Sequence, residues 1–379
     1  MTSQAKLIGT TVIFIAAASA QAAPTITVST FATASAVSAT APDSITSGDG
    51  SVWVGYGNGA DSTGASGDST VVRYSMSGAV EHVYTVPGLV DGLKFNPVTG
   101  MLWVLQNNDG NAALSLINPS TNALGTALKY GPPYVYGPTS SRGYDDVAFL
   151  GGKVYLSYTN PVNPTDPVLQ TLNQGNTPSG TLTTTTILTA HDTNSAFTSS
   201  SQAPPDIDSL KSTPSGQLVL TSEGDVPAVP SNVGSFTLIS NPGSAGRTVS
   251  NVAVAKGGTT VTGMDDVLFP GATAGTLYVS DTKSNTVYAI RLTGLDPNTP
   301  IVSLGSFNEV ALVNPVTGVV GTTLLGGLPG PHGLDFVPAT SSAPEPATWP
   351  MLLLGLGGLA AAAAIRRKRG VPAGPATAG

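Results

Sequence analysis

One short pattern recurs along this chain and limits the folds open to it. An acidic residue precedes an aliphatic–x–aromatic strand start, a turn, and a second strand with an aromatic near its centre. Asp91-Gly92-Leu93-Lys94-Phe95 leads into the turn NPVTG and then Met101-Leu102-Trp103-Val104-Leu105. Asp145-Asp146-Val147-Ala148-Phe149 leads through LGG into 153–157, and Asp265-Asp266-Val267-Leu268-Phe269 through PGATAG into 276–280. Weaker copies begin at Asp43, before Trp53, and at Asp206, before 217–221. A last copy, His332-Gly333-Leu334-Asp335-Phe336, opens a unit that has no second strand after it. The starts lie about 50 to 65 residues apart, room for one four-stranded sheet each, as in propeller blades.

The surrounding composition agrees with strands. From about 24 to 338, β-branched and aromatic runs alternate with Gly, Pro, Asn and Asp turns, and no convincing helical period appears. Leu93/Phe95, Val147/Phe149 and Val267/Phe269 put apolar side chains on one face at period two. Trp53, Trp103, Tyr155 and Tyr278 can then fill the wedge between neighbouring blades. The expected fold class is all-β: a β-propeller over 23–339, six-bladed on the motif count, with five or seven blades and a β-sandwich or β-helix as alternatives. Strands within 24–38 are placed to complete the last sheet and close the ring. The Pro/Asn/Thr-rich segment 159–183 reads as a long excursion between strands.

Both ends carry addresses. Lys6, the apolar run 7–18 and Ala20-Gln21-Ala22 have the order of an export signal, giving a signal peptide over 1–22. At the other end Pro344-Glu345-Pro346 is followed by an apolar run to Ile365 and by Arg366-Arg367-Lys368-Arg369. An apolar run can enter a bilayer while four cations hold its end on the cytoplasmic side. This C-terminus resembles the PEP-CTERM sorting signal, whose family is recognised and cleaved by an exosortase. The resemblance implies a linker over 340–346, a transmembrane sorting helix with its basic cluster over 347–369, and a disordered tail over 370–379. It also implies transient residence in the inner membrane of a Gram-negative bacterium, then delivery to the cell surface or extracellular matrix. An ordinary tail anchor is the alternative.

Charge and cysteine content narrow the partners. The chain has no cysteine, so thiolate metal sites and disulfides are excluded. Without Lys6 and the four C-terminal cations, ten basic residues face 22 acidic ones. A body of that sign is not expected to bind nucleic acid, which requires cations to neutralise phosphates.

The repeated D-G/D-L/V-x-F element with its G-x-L-W/Y-V partner resembles the blade motif of NHL and SMP-30/gluconolactonase-like propellers. In the lactonase-like members, residues at these strand starts reach the channel and help to hold a divalent metal. The resemblance implies metal ligands at Asp91, Asp145, Asp206 and Asp265, with Asp43 in the weakest copy. Calcium is the expected ion, because it takes six to eight oxygen ligands. Asn107, Asn108, Asn160, Glu223 and Asp281 follow second strands and could add oxygens. A strand-start Asp can instead bond the amides of its own turn.

Of the three histidines, only His332 falls on the repeat, which makes it the single catalytic candidate; His82 and His191 do not. No G-x-S-x-G, H-E-x-x-H or phosphate-cradling G-K-[ST] sequence occurs. The leading expectation is a surface-sorted, non-catalytic binding protein associated with a polysaccharide matrix. A calcium-dependent lactonase-like hydrolase or lyase and a purely structural envelope protein are the alternatives.

Overall fold

Six antiparallel sheets follow one another around a common axis in this computed structural model, which describes residues 23–132, 142–159, 161, 163, 165–193, 207–223 and 233–339. From the inside outward, the first blade is Pro42–Gly48, Ser51–Tyr56, Asp68–Ser75 and Val80–Pro87. The second is Val90–Asn96, Met101–Gln106 and Ala113–Asn118, edged by the short pieces Ala123–Leu124 and Leu128–Lys129. The third is Tyr144–Leu150, Lys153–Tyr158, Pro167–Leu172 and Thr184–Thr189. The segment read as an excursion therefore contains the third strand of this blade. The fourth blade is Ile207–Ser212, Leu218–Ser222, Ser235–Ser240 and Thr248–Ala253.

The last two blades exchange strands. Val267–Leu268 pairs with Ile301–Leu304, which continues to Glu309–Val313 and Val320–Gly326, making the fifth blade. The strand Ala274–Asp281 does not return against Val267–Leu268, as the local pattern predicts; it pairs with Pro331–Pro338 in the sixth blade. Thr286–Thr293 and then Thr25–Thr33 complete that blade. The short apolar run Val267-Leu268-Phe269 suits either partner, so local sequence cannot choose between them. The missing second strand of the His332 unit is thus found upstream, and the N-terminal strand closes the ring as expected. Pro24 and Pro338 both lie at the end of the sixth blade away from His332.

The core is divided into six clusters, one at each blade junction. Trp53 packs with Val90, Leu93 and Val104 between blades one and two, and Trp103 with Val147 and Leu156 between two and three. Tyr155 joins Ile207 and Leu218 between three and four; Tyr278 joins Ile45 and Val52 where blade six meets blade one. Phe236 and Val267 meet at the fourth junction, Leu277 and Ile301 at the fifth. Trp53 and Trp103 are fully buried, and burying such a ring contributes roughly 1.5–3 kcal/mol or more. Among the described residues no helix is long and apolar enough to cross a membrane. The signal peptide, the Pro-Glu-Pro linker, the sorting segment and the tail lie outside the described residues.

Candidate functional site: the acidic mouth of the channel

Five of the six inner strands open with the same irregularity. Pro42 pairs with Tyr56 and Ile45 with Val54, so three steps on the inner strand match two on its neighbour. The same slip occurs at Val90/Leu93, Tyr144/Val147 and Ile207/Leu210, and opposite Pro331/Leu334. Such a bulge re-aims the side chain it carries. Its first residue is Asp43, Asp91, Asp145, Asp208 or His332, and Asp265 takes the equivalent place in blade five; all six line one cavity of ≈ 190 Å³. The third residue, Ile45, Leu93, Val147, Leu210, Val267 or Leu334, is buried between blades.

Hydroxyls on the second strands hold the bulges in place. Ser157 Oγ accepts from Asp146 N at 2.8 Å and donates to the carbonyl of Asp208, in the next blade, at 3.2 Å. Thr221 Oγ1 accepts from Ser209 N at 2.8 Å and donates to Asp265 O at 3.0 Å. Ser280 Oγ donates to the carbonyl of Asp43, closing the ring. A second set of contacts runs through the carboxylates at the second bulge position. Asp146 accepts from Leu210 N at 3.1 Å, and Asp266 from Leu334 N at 2.6 Å. Asp266 also holds the Lys211 ammonium, and Lys211 donates to Leu334 O at 2.5 Å. These contacts compensate a nearly buried ion pair, whose charges would be costly without them.

Electrostatics at the mouth follow from crowding. Burial, and then the neighbouring carboxylates of Asp43, Asp265 and Asp109, push the Asp91 carboxyl well above its ordinary range. Burial does the same to Asp208, reinforced by Asp265, Glu223, Asp91 and Asp145. Burial also raises Asp265, although His332 opposes it. His332 Nδ1 lies 2.8 Å from Asp265 Oδ1 and 3.1 Å from Asp43 Oδ1. Burial disfavours charge on this imidazole, but the two carboxylates outweigh burial and raise it well above its usual value.

The carboxylates form overlapping trios whose ligand atoms lie within 4.8 Å of one another: Asp91/Asp145/Asp208, Asp208/Glu223/Asp265 and Asp43/Asp265/His332. Asn108, which lines the same cavity, donates from Nδ2 to Asp145 Oδ1 at 3.1 Å, and its own Oδ1 is buried without a hydrogen-bond partner. Hard oxygen donors at this spacing suit calcium.

Of the expected ligands, Asp91, Asp145 and Asp265 meet here, with Asp43 and His332. Asp206 lies outside the described residues, and the fourth blade contributes Asp208 instead. The signal was present: every ring residue stands two places before a buried aliphatic, and Asp208-Ser209-Leu210 fits that rule where Asp206 does not. Glu223 and Asn108 reach the cavity; Asp281 is buried and accepts from Gly330 N at 3.0 Å and Ser284 N at 3.2 Å. Sequence reasoning missed Lys94, Lys211, Asp146 and Asp266, which line the channel from strand positions whose local pattern is that of solvent-facing residues. His82 stacks beside Tyr84 with ring centroids 4.4 Å apart, and His191 is exposed.

Among curated protein sequences, none matches this chain. Two solved structures illustrate its likenesses. Periplasmic gluconolactonase PpgL of Pseudomonas aeruginosa is 13% identical, with 78% of this chain and 88% of that chain covered and a TM-score of 0.43. Hydrazine synthase of Kuenenia stuttgartiensis is 11% identical, covering 72% and 76%, with a TM-score of 0.38. At such values neither likeness carries an activity to this protein. Residues 342–369 match the PEP-CTERM protein-sorting motif, which contains Pro344, Glu345, Pro346 and the cluster from Arg366 to Arg369. That motif implies export, membrane-anchored sorting and exosortase processing. This chain is therefore a six-bladed β-propeller that carries a PEP-CTERM sorting motif at its C-terminus.

Proposed function

We propose that this is an exported, surface-sorted binding protein whose acidic channel mouth takes a calcium-type cation and whose partner is a polysaccharide matrix. The observation that carries the cation site is the ring itself: five of six inner strands, one from each of five blades, deliver a carboxylate to one cavity. Asp91, Asp145, Asp208 and Glu223 would hold the cation, with Asn108 Oδ1 as a neutral oxygen. Bound there, it would offset the burial and the mutual repulsion that raise Asp91 and Asp208.

The same geometry supports binding over catalysis at His332. Two carboxylates on Nδ1 favour the protonated imidazole, and in that form it cannot act as a general base. His332 instead supplies the positive charge that lets Asp43 and Asp265 approach each other.

Calcium titration of the purified chain, followed by melting temperature and metal analysis, tests the reading. Bound calcium and a raised melting temperature are expected. No bound metal and no shift would remove the cation site, and turnover of lactones lost in Asp91→Asn would replace binding with hydrolysis.

A further inference from the structure

The opposite mouth of the channel is built from different chemistry. There a cavity of ≈ 270 Å³ is lined by Phe95, Phe149, Phe269 and Phe336, each four places after the ring residue of its blade. Blades one and four place Ser47 and Ser212 at this position. In a six-bladed ring those two blades stand opposite each other. The aromatic residues therefore form two walls, Phe95 with Phe149 and Phe269 with Phe336, and a hydroxyl stands at each end of the slot.

The rings are held before any ligand arrives. Phe149 meets Trp103 edge-on with centroids 5.2 Å apart. Phe95 lies so close over Gly48, and Phe336 over Gly275, that a methyl group on either glycine would sit 2.1 Å or 2.4 Å from ring carbons. Phe269 packs on the cluster between blades four and five. All four remain half-buried, each with ring surface on the cavity.

The floor is polar and carries both charges. Lys94 and Lys211 line this cavity and the acidic one alike, so they form a basic girdle between the two mouths. Lys211 is committed to Asp266; among the described residues Lys94 makes no ion pair. Asp335 also lines the floor; the Ser47 side chain hydrogen-bonds its carboxyl group, and its Oδ2 is buried without a hydrogen-bond partner.

These features select a ligand class by elimination. An apolar acid would satisfy Lys94 but set its carboxylate against Asp335. A cationic ligand would meet Lys94 and Lys211. A neutral ring with apolar C–H faces and peripheral hydroxyls satisfies the walls, the ammonium and the orphan oxygen together. The volume, a little under the roughly 300 Å³ at which drug-sized pockets begin, limits the occupant to one or two such rings.

The geometry points to a second binding site at the aromatic mouth, between Phe95/Phe149 and Phe269/Phe336 over Lys94 and Asp335, for a neutral pyranose unit of a saccharide. It deepens the matrix-binding reading by naming where a sugar sits, and it shares no carboxylate with the proposed cation site.

Saturation-transfer NMR and calorimetric titration of the full chain in EDTA, with methyl β-glucopyranoside, methyl α-mannopyranoside and N-acetylglucosamine as probes, decide it. Cyclohexanecarboxylate serves as an apolar acid of similar size. At least one pyranoside should bind through its C–H protons, and Asp335→Leu and Lys94→Met should each weaken it by about tenfold or more, since each leaves a sugar hydroxyl unpaired. If one variant fails to fold, the other decides. The proposal is overturned if no pyranoside binds, if only cyclohexanecarboxylate binds, or if both folded variants bind like the parent. Binding seen with calcium and lost in EDTA would assign the sugar to the acidic mouth instead. A failed calcium titration leaves these outcomes unaffected.

Discussion

His332 Nδ1 sits 2.8 Å from Asp265 Oδ1, and this contact joins the inner strands of blades five and six at the acidic mouth. With Asp43 at 3.1 Å on the same nitrogen, the imidazole lies between two carboxylates that favour its protonated form. Its folded-state pKa is raised, so the stabilisation is fully present below about 6.5, the unfolded value. It is lost as pH rises through the folded value. Melting temperature should therefore fall on the alkaline side, and His332→Gln should flatten that limb while lowering stability near neutrality. A parent-like alkaline limb in His332→Gln would contradict this account.

The carboxylates tilt the same profile from the acid side. Asp91 and Asp208 have raised folded-state values, burial being the main cause. The folded protein then binds more protons than the unfolded chain above about pH 3.9. Stability from these groups falls as pH climbs from there through their raised values. Asp208→Asn should raise the melting temperature in EDTA at neutral pH, because it removes a carboxylate disfavoured by burial and by its neighbours, yet abolish the gain produced by calcium. Melting curves with and without calcium check both signs, and a destabilised variant in EDTA would count against repulsion.

Gly92 and Gly333 test the ring's backbone. A methyl group on Gly92 would stand 2.2 Å from Asp145 O, and one on Gly333 2.4 Å from Asp43 O. Backbone cannot yield as a side-chain tip does, so Gly92→Ala should displace the neighbouring bulge. A drop in melting temperature together with weaker calcium binding is expected. Unchanged calcium affinity in a folded Gly92→Ala would show that the bulge does not position the site.

The fold and most of this ring were legible because both depend on local repetition. The acidic starts, the buried aliphatics two places later and the aromatics Trp53, Trp103, Tyr155 and Tyr278 recur within single hairpins, and wedge packing follows from them. The exchange of Ala274–Asp281 into the sixth blade was not legible, since strand choice there depends on which neighbour completes a sheet, a non-local matter. Asp208 was passed over because Asp206 offered an equally acidic start; only the spacing to Leu210 separates them. Lys94 and Lys211 were opaque for another reason. A lysine at a strand position facing the channel has the same local pattern as one facing solvent.

Asp266 and Lys211 form a nearly buried pair with side-chain exposures of 5% and 11%. Asp266 additionally accepts from Ser209 Oγ at 2.5 Å and from Val267 N at 2.7 Å. Asp266→Ala strands the Lys211 charge and should cost about 3–5 kcal/mol. Lys211→Met in the same chain should recover part of that loss. Urea unfolding of the single and double variants measures the coupling, and simple additivity would show that the ammonium finds another partner.

The N-terminal strand closes the propeller, since Thr25–Thr33 pairs along Thr286–Thr293 from Thr25↔Thr293 to Thr33↔Thr286. Phe31 packs edge-on against Tyr278 and Tyr74 at centroid distances of 4.9 and 5.6 Å, so this outer strand also reaches the junction of blades six and one. Removing residues 23–33 takes away both the outer ladder and that aromatic contact. It leaves Thr286–Thr293, which carries Tyr288 and Ile290, as a long unpaired edge, a template for pairing with another chain. The truncated protein should melt lower and self-associate, whereas Phe31→Ala, which keeps the ladder, should melt lower and stay monomeric. Sedimentation of the two variants separates closure by backbone pairing from closure by packing, and a monomeric truncation would assign the seal to the aromatic cluster alone.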